Sequence, residues 1–278
     1  MIHIVTDSSC DLPADLVEQH RITVVPLTIR FGDEELLDGR DLDASAFWAR
    51  LRSSGPLPET SAPTAGRFED AFTALGDQRA KGAVAVCMSA ELSATYQAAV
   101  IAAERLADRF PVRVVDSRGV SMAMGLQVLE AAEQAAQGVD LDQVASTAQV
   151  AAARTNLYAA LHTLEYLKRG GRIGGAQALL GGILKVKPLI TFRDGVVAAA
   201  GRVRTRAKAI GALVDRAREL QPRLRWLAVV HGQATDLDLL LDPVSELVPA
   251  ERLVVAELGP VVGTHTGPGA LGIAYLLE

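Results

Sequence analysis

The chain has 278 residues, and at roughly 100 to 200 residues per domain two domains are expected. Hydrophobic residues make up 49% and charged residues 22%, which excludes a disordered or fibrous chain. Lys plus Arg total 28 against 33 for Asp plus Glu, so the formal charge of −5 lacks the basic footprint with which nucleic-acid binders attract phosphates, and 4% aromatics leave few rings for base stacking or a carbohydrate cleft. The N-terminal Met1-Ile2-His3-Ile4-Val5-Thr6-Asp7 reaches an acidic residue too soon for the apolar core of a signal peptide. No apolar run reaches the roughly 18 to 20 residues of a membrane span, so a cytoplasmic location with no transmembrane segment is expected. Cys10 and Cys87 are too few and too poorly spaced for a disulfide framework or a zinc site, and both are expected to pack as small hydrophobes.

In chain order, His3 to Thr6 forms a short β-rich run. Asp11-Leu12-Pro13 then offers an N-cap and an early proline for a helix over Ala14 to His20. Ile22 to Phe31 is rich in Ile, Val and Thr. Ala83 to Met88 and Val112 to Val115 are nearly continuous apolar runs of the kind buried on both faces of a parallel sheet. Helical patterns lie between them at Ala44 to Leu51, Gly66 to Leu75 and Thr95 to Arg109, and this alternation predicts an open, mostly parallel sheet flanked by helices. Ala-rich helices near Met122 to Gln137 and Val144 to Ala153 join the halves. Beyond about Thr155 the pattern changes. Arg193-Asp194-Gly195 between Leu189 to Phe192 and Val196 to Val203 predicts a hairpin, followed by a helix over Arg206 to Leu220 and strands at Leu227 to His231, Leu253 to Leu258 and Leu271 to Leu277. The expected fold is therefore α/β with two domains, a parallel α/β unit over 1–154 and an α+β unit with an antiparallel sheet over 155–278.

The polar clusters sit at predicted strand ends, where open α/β sheets bind ligands. Thr6-Asp7-Ser8-Ser9, Ser89 to Tyr96 and Asp116-Ser117 could converge on one rim, although Ser89 and Ser93 also serve as N-caps and Asp116-Ser117 as a turn opener. The loop Thr60-Ser61-Ala62-Pro63-Thr64 suits a carboxylate, because hydroxyl and backbone donors can hold an anion without a buried cation; it also suits a capped helix start at Gly66. His265 stands among the glycines, prolines and threonines of Gly259 to Ala270, where close backbone approach would bring it to a ligand. The G-x-G-x-x-G match at Gly267, Gly269 and Gly272 is rejected as dinucleotide-binding, since no following helix and strand fit before Glu278. No phosphate loop, nucleophile elbow or metal-binding helix is present, and the five histidines have no metal-ligand spacing, so neither a metal nor a cofactor is expected. Ser93 with His265, oriented by Asp7 or Asp116, is the alternative: a Ser-His hydrolase or acyltransferase acting on an ester or acyl-phosphate. Basic residues cluster at Lys168 to Arg172 and at Arg202 to Lys208, read either as the solvent face of an edge strand or as docking for an acidic partner.

Taken in order, Thr6 to Leu12, Asp38-Gly39-Arg40-Asp41, Thr60 to Thr64, Leu92-Ser93-Ala94-Thr95-Tyr96, Gly170-Gly171-Arg172-Ile173, Leu184-Lys185-Val186-Lys187-Pro188 and Gly259 to Ala270 resemble the successive signatures of the DegV family. The resemblance implies a bacterial fatty-acid-binding protein without a catalytic step of its own. A long-chain acid such as palmitate would be buried in an apolar tunnel near the domain interface. Its carboxylate would be held by Thr60 or Ser61 with Ser93 and the backbone at Ala94, and His265 would complete the polar network. It further implies a fatty acid kinase catalytic subunit as partner, with Arg172, Arg202 and Arg204 as docking candidates. Ala94 stands where the family usually has Gly, and Ala62 where Gln is common.

Overall fold

The computed structural model describes residues 1–53, 55–180 and 186–278, so Leu184 and Lys185 of the motif before Pro188 lie outside the described residues. The first half runs β1 (Ile2–Asp7), α1 (Ala14–Gln19), β2 (Thr23–Val25), β3 (Thr28–Phe31), β4 (Glu34–Leu37), α2 (Ala44–Arg52), β5 (Glu59–Ser61), α3 (Ala65–Asp77), β6 (Gly82–Cys87), α4 (Thr95–Arg105), β7 (Val112–Asp116), α5 (Met122–Ala136) and α6 (Leu141–Arg154). The second half runs β8 (Thr155–Ala160), α7 (Glu165–Arg169), β9 (Lys187–Arg193), β10 (Val196–Val203), α8 (Arg206–Leu220), β11 (Leu224–His231), α9 (Asp238–Val244), β12 (Leu253–Glu257), α10 (Pro260–Thr266) and β13 (Leu271–Leu277).

The β-rich run Ile22 to Phe31, expected as one element, is two strands in different sheets. Pro26 separates them: it has no N–H to give to a ladder, so β2 ends at Val25 and β3 starts afresh in a small antiparallel sheet with β4 and β5. β2, β1, β6 and β7 form the expected parallel sheet in that order. All six residues of β6 are buried because both faces are covered. Val84 and Val86 join Ile2, Ile4 and Val115 in one apolar cluster, while Ala83, Ala85 and Cys87 meet Phe68 and Phe72 of α3 and Ala99 and Ala102 of α4 in another.

The second sheet has six strands in the order β10-β9-β8-β13-β11-β12. It is antiparallel except for the β11–β12 pair, whose parallel pairing follows from the crossover through α9. Asp194 at φ 53° and Gly195 at φ 80° make the predicted tight turn between β9 and β10. One face packs Leu189, Leu227, Val229 and Ile273 against Ile210 and Leu213 of α8. The opposite face looks inward. α5 fills the space between the two large sheets, with twelve of its fifteen residues buried and packing contacts to β1, β6, β8, β11 and β13. A helix apolar on nearly all sides belongs in such an interior layer. Thus the helix expected as a connector is a central element of the core.

Asp11 does not cap α1 as expected. Pro13 occupies the N-cap position, while Asp11 is buried with φ 52° and bonds to distant parts of the chain. Cys10 and Cys87 are buried free thiols, as expected, and burial raises the pKa of both. Among the described residues, no helix is long and apolar enough to cross a membrane.

Candidate functional site

A cavity lies between the inner face of the six-stranded sheet and the loops at the carboxyl ends of the parallel strands. Strand alternation supplies one wall: Leu157 and Ala159 of β8, Ile190 and Phe192 of β9, Val197 of β10 and Val230 of β11 point to it, while their neighbours face α8. Met88, Leu92 and Val120 close it from the parallel-sheet side, and Val261 and Val262 come from α10. Its mostly apolar lining, with a few polar groups, is that of a small-molecule site.

The polar groups gather at one part of this cavity. Thr60, Ser61, Ser93, His265, Thr266 and Arg172 all line it. Thr60 and Ser61, expected in a loop, belong to the short strand β5, whose pairing with β3 fixes their orientation. His265, noted in sequence among glycines, prolines and threonines, sits in the last turn of α10, with Gly259 at the N-cap position and Pro260 at the first helical residue. Thr60 Oγ1 and His265 Nε2 are 2.9 Å apart, a hydrogen bond spanning 205 residues of sequence. The Gly170 backbone lies against the other edge of the ring: a Cβ at that position would stand 2.1 Å from His265 Nδ1. Nδ1 has no hydrogen-bonding partner among the described residues. Burial, with a smaller contribution from the Arg172 charge, lowers the His265 pKa to about 4, so the imidazole is neutral at neutral pH.

Arg172, a docking candidate in sequence, lines the cavity and the adjoining open cleft. Its Nε donates to the Leu92 carbonyl at 3.1 Å and its Nη1 to the Gly170 carbonyl at 2.7 Å. The hydroxyl-only anion site expected from the Thr60 to Thr64 segment therefore has a cation beside it. The Ser93 hydroxyl lies 2.8 Å from Thr95 Oγ1 and accepts the Thr95 N–H at 3.3 Å, which combines wall and capping roles. Ala94 is exposed at the N-cap position of α4 and does not line the cavity.

Ser93 and His265 share the cavity without bonding to each other, since each hydroxyl–imidazole or hydroxyl–hydroxyl contact is made with a threonine. Neither proposed orienting carboxylate reaches the ring. Asp7 accepts from Ser9 and from the Met88 N–H, and Asp116 from the Ala90 and Arg118 N–H groups. These bonds do join the strand-end clusters on one rim, as does the Ser121 N–H donating to the Ser9 carbonyl.

Residues without a sequence signal complete the rim. Ser121, held at φ 56°, lines the cavity, and its hydroxyl bonds Asp11 Oδ2 at 2.5 Å. Asp11 Oδ1 accepts the Gly259 N–H at 2.9 Å, tying the start of α10 to the first strand–helix loop. Burial raises Asp11 to about 8 and Asp38 to about 7. Asp11 was visible in sequence as a helix-cap candidate; its partner 248 positions away was not. Arg202 and Arg204 are exposed, with Arg202 on β10, the edge strand expected from its alternation. Arg206 pairs with Asp236. Among the described residues no group of three or more His, Cys, Asp or Glu is placed to hold a metal.

Comparison with known proteins agrees with this architecture. A family model described as "Uncharacterised protein, DegV family" matches residues 1–278. A DegV domain-containing protein of Streptomyces coelicolor is 41% identical over 275 residues, covering 98% of this chain and 97% of its own. Two solved structures superpose with a TM-score of 0.89 and cover 100% of this chain and 99% of theirs: a fatty-acid-binding DegV family protein from Thermus thermophilus at 32% identity and DegV, a fatty acid binding protein from Bacillus subtilis, at 29%. The chain belongs to the DegV family.

Proposed function

We propose that the protein binds a long-chain fatty acid such as palmitate, with the acyl tail in the cavity and the carboxylate among Thr60, Ser61, Ser93, Arg172 and His265. The observation that carries this reading is an apolar cavity whose polar lining is concentrated in hydroxyls, one neutral imidazole and one guanidinium. The fatty-acid-binding descriptions of the two structural relatives support it. Burying a CH₂ group is worth about 0.8 kcal/mol, so a tail of a dozen such groups supplies on the order of 10 kcal/mol before ordering costs. The tail then dominates affinity and the head group sets orientation. His265 contributes hydrogen bonding rather than charge, and Arg172 provides the positive field.

The isolated chain is, in this reading, a carrier. It presents the carboxylate to a separate fatty acid kinase subunit for phosphorylation, with Arg202 and Arg204 facing that subunit. The division at Arg154/Thr155 belongs to the same proposal: the large parallel sheet lies before it, the six-stranded sheet after it, and the cavity between them. A hydrolase built on Ser93 and His265 has less support, because His265 Nε2 is engaged by Thr60. Mass spectrometry of an organic extract of the purified protein tests the proposal. A stoichiometric long-chain acid is the expected result, and failure to retain or rebind one after delipidation would overturn it.

A further inference from the structure

The cavity borders two other hollows. With an open polar cleft it shares Thr60, Arg172 and His265, which marks that side as the mouth. With a second, open hollow it shares one residue, Phe192, and the two outer spaces have no lining residue in common. We infer that the Phe192 ring is the partition ending the acyl tunnel, and that it sets the longest chain the protein accepts. The inference rests on the fatty-acid reading above and deepens it.

Among the described residues, Phe192 is the one phenylalanine, tyrosine or tryptophan lining this cavity of Leu, Val, Ile, Ala and Met side chains. A flat ring can close a space that a branched aliphatic chain would leave open at its edges. Its position is fixed at the backbone: Asn156 Nδ2 donates to the Phe192 carbonyl at 3.0 Å, and Asn156 Oδ1 accepts the Phe192 N–H at 3.2 Å. Val197 lies directly across the ladder on β10. The space behind the ring is chemically different. It is lined by Arg118, Gln127, Asn156 and Asp194, and Gln127 is buried with Oε1 unpartnered. A tail continuing past Phe192 would leave the apolar lining for these polar groups and gain no hydrogen bond from them.

The test is competition for the delipidated protein among equimolar myristate, palmitate, stearate, arachidate and behenate, read by native mass spectrometry. Wild type should show a sharp upper cutoff. In Phe192→Ala the captured ratio of behenate to palmitate should rise at least about tenfold, the increment that fewer than two newly accommodated methylenes would give. Leu239→Ala, an exposed position on α9 that lines neither hollow, should keep the wild-type cutoff. Phe192→Leu covers the case in which the alanine variant does not fold, and should shift the cutoff partway. A wild-type protein that captures no acid overturns both this inference and the fatty-acid reading. Capture by wild type, with the same cutoff in a folded Phe192 variant, overturns this inference alone.

Discussion

His265 is neutral because the protein has buried it, not because a base has taken its proton. Burial and the nearby Arg172 charge depress its pKa from 6.5 to about 4, and the folded state holds fewer protons than the unfolded state between those values. Stability contributed by this residue is therefore complete above about pH 6.5 and declines as the pH falls toward 4. Fatty-acid affinity should show no inflection near the ordinary imidazole pKa in a titration calorimetry series across neutral pH. Thr60→Val removes the only hydroxyl bonded to Nε2 among the described residues, and should weaken binding by about three- to tenfold in the same assay. Ser93→Ala is expected to lower affinity by a similar factor while the fold stays intact, as checked by circular dichroism. At Gly170 the backbone is the functional feature: the added methyl of Gly170→Ala would collide with the imidazole, so affinity should fall more than in either hydroxyl variant.

Helix α10 shows how a short element acquires a fixed place. Its seven residues would not hold a helix alone. Trp48 Nε1 donates to the Leu258 carbonyl at 3.0 Å just before the helix, and Gly263 brings the helix backbone against Phe47 and Trp48. A Cβ at Gly263 would stand 2.5 Å from Phe47 and 2.9 Å from Trp48. Gly263→Ala should cost about 1 to 3 kcal/mol in urea denaturation, as overpacking of a tight interface does, and should reduce fatty-acid affinity by displacing His265. The β2–β3 break at Pro26 is the complementary case. There the local chemistry of one residue stops a ladder, and the chain changes sheets.

Across the molecule, Asp11 links three distant segments through Ser121 and Gly259. Its pKa, raised by burial to about 8 from 3.8, has the opposite linkage sign to that of His265. The folded state keeps a proton that the unfolded state releases, so the contribution is complete below about pH 4 and is lost as the pH rises through about 8. Asp11→Asn keeps an acceptor for the Gly259 N–H, puts an amide in place of the Oδ2 that accepts from Ser121, whose hydroxyl can turn to accept instead, and stays uncharged. Thermal melts at about pH 5.5 and about pH 8.5 should show the variant gaining on wild type at the higher pH by on the order of a few degrees. An equal wild-type–variant difference at both pH values would count against a proton held on Asp11.

Much of this architecture was legible in the chain. Apolar runs, periodicity and the Asp-Gly turn marked most strands and helices, because these signals are local: backbone alternation and turn chemistry are set by a few neighbouring residues. The hydroxyl-bearing segments and His265 could be singled out for the same reason. Their assembly could not. Arg172 was visible as a basic residue, yet its place on the cavity wall follows from carbonyls at Leu92 and Gly170. The Thr60–His265 and Asp11–Gly259 bonds each join segments that no local pattern connects, and no local pattern shows that Phe192 lines two hollows. Periodicity states which face of an element is apolar; the packing of sheets around α5 determines which faces meet and where they leave a space.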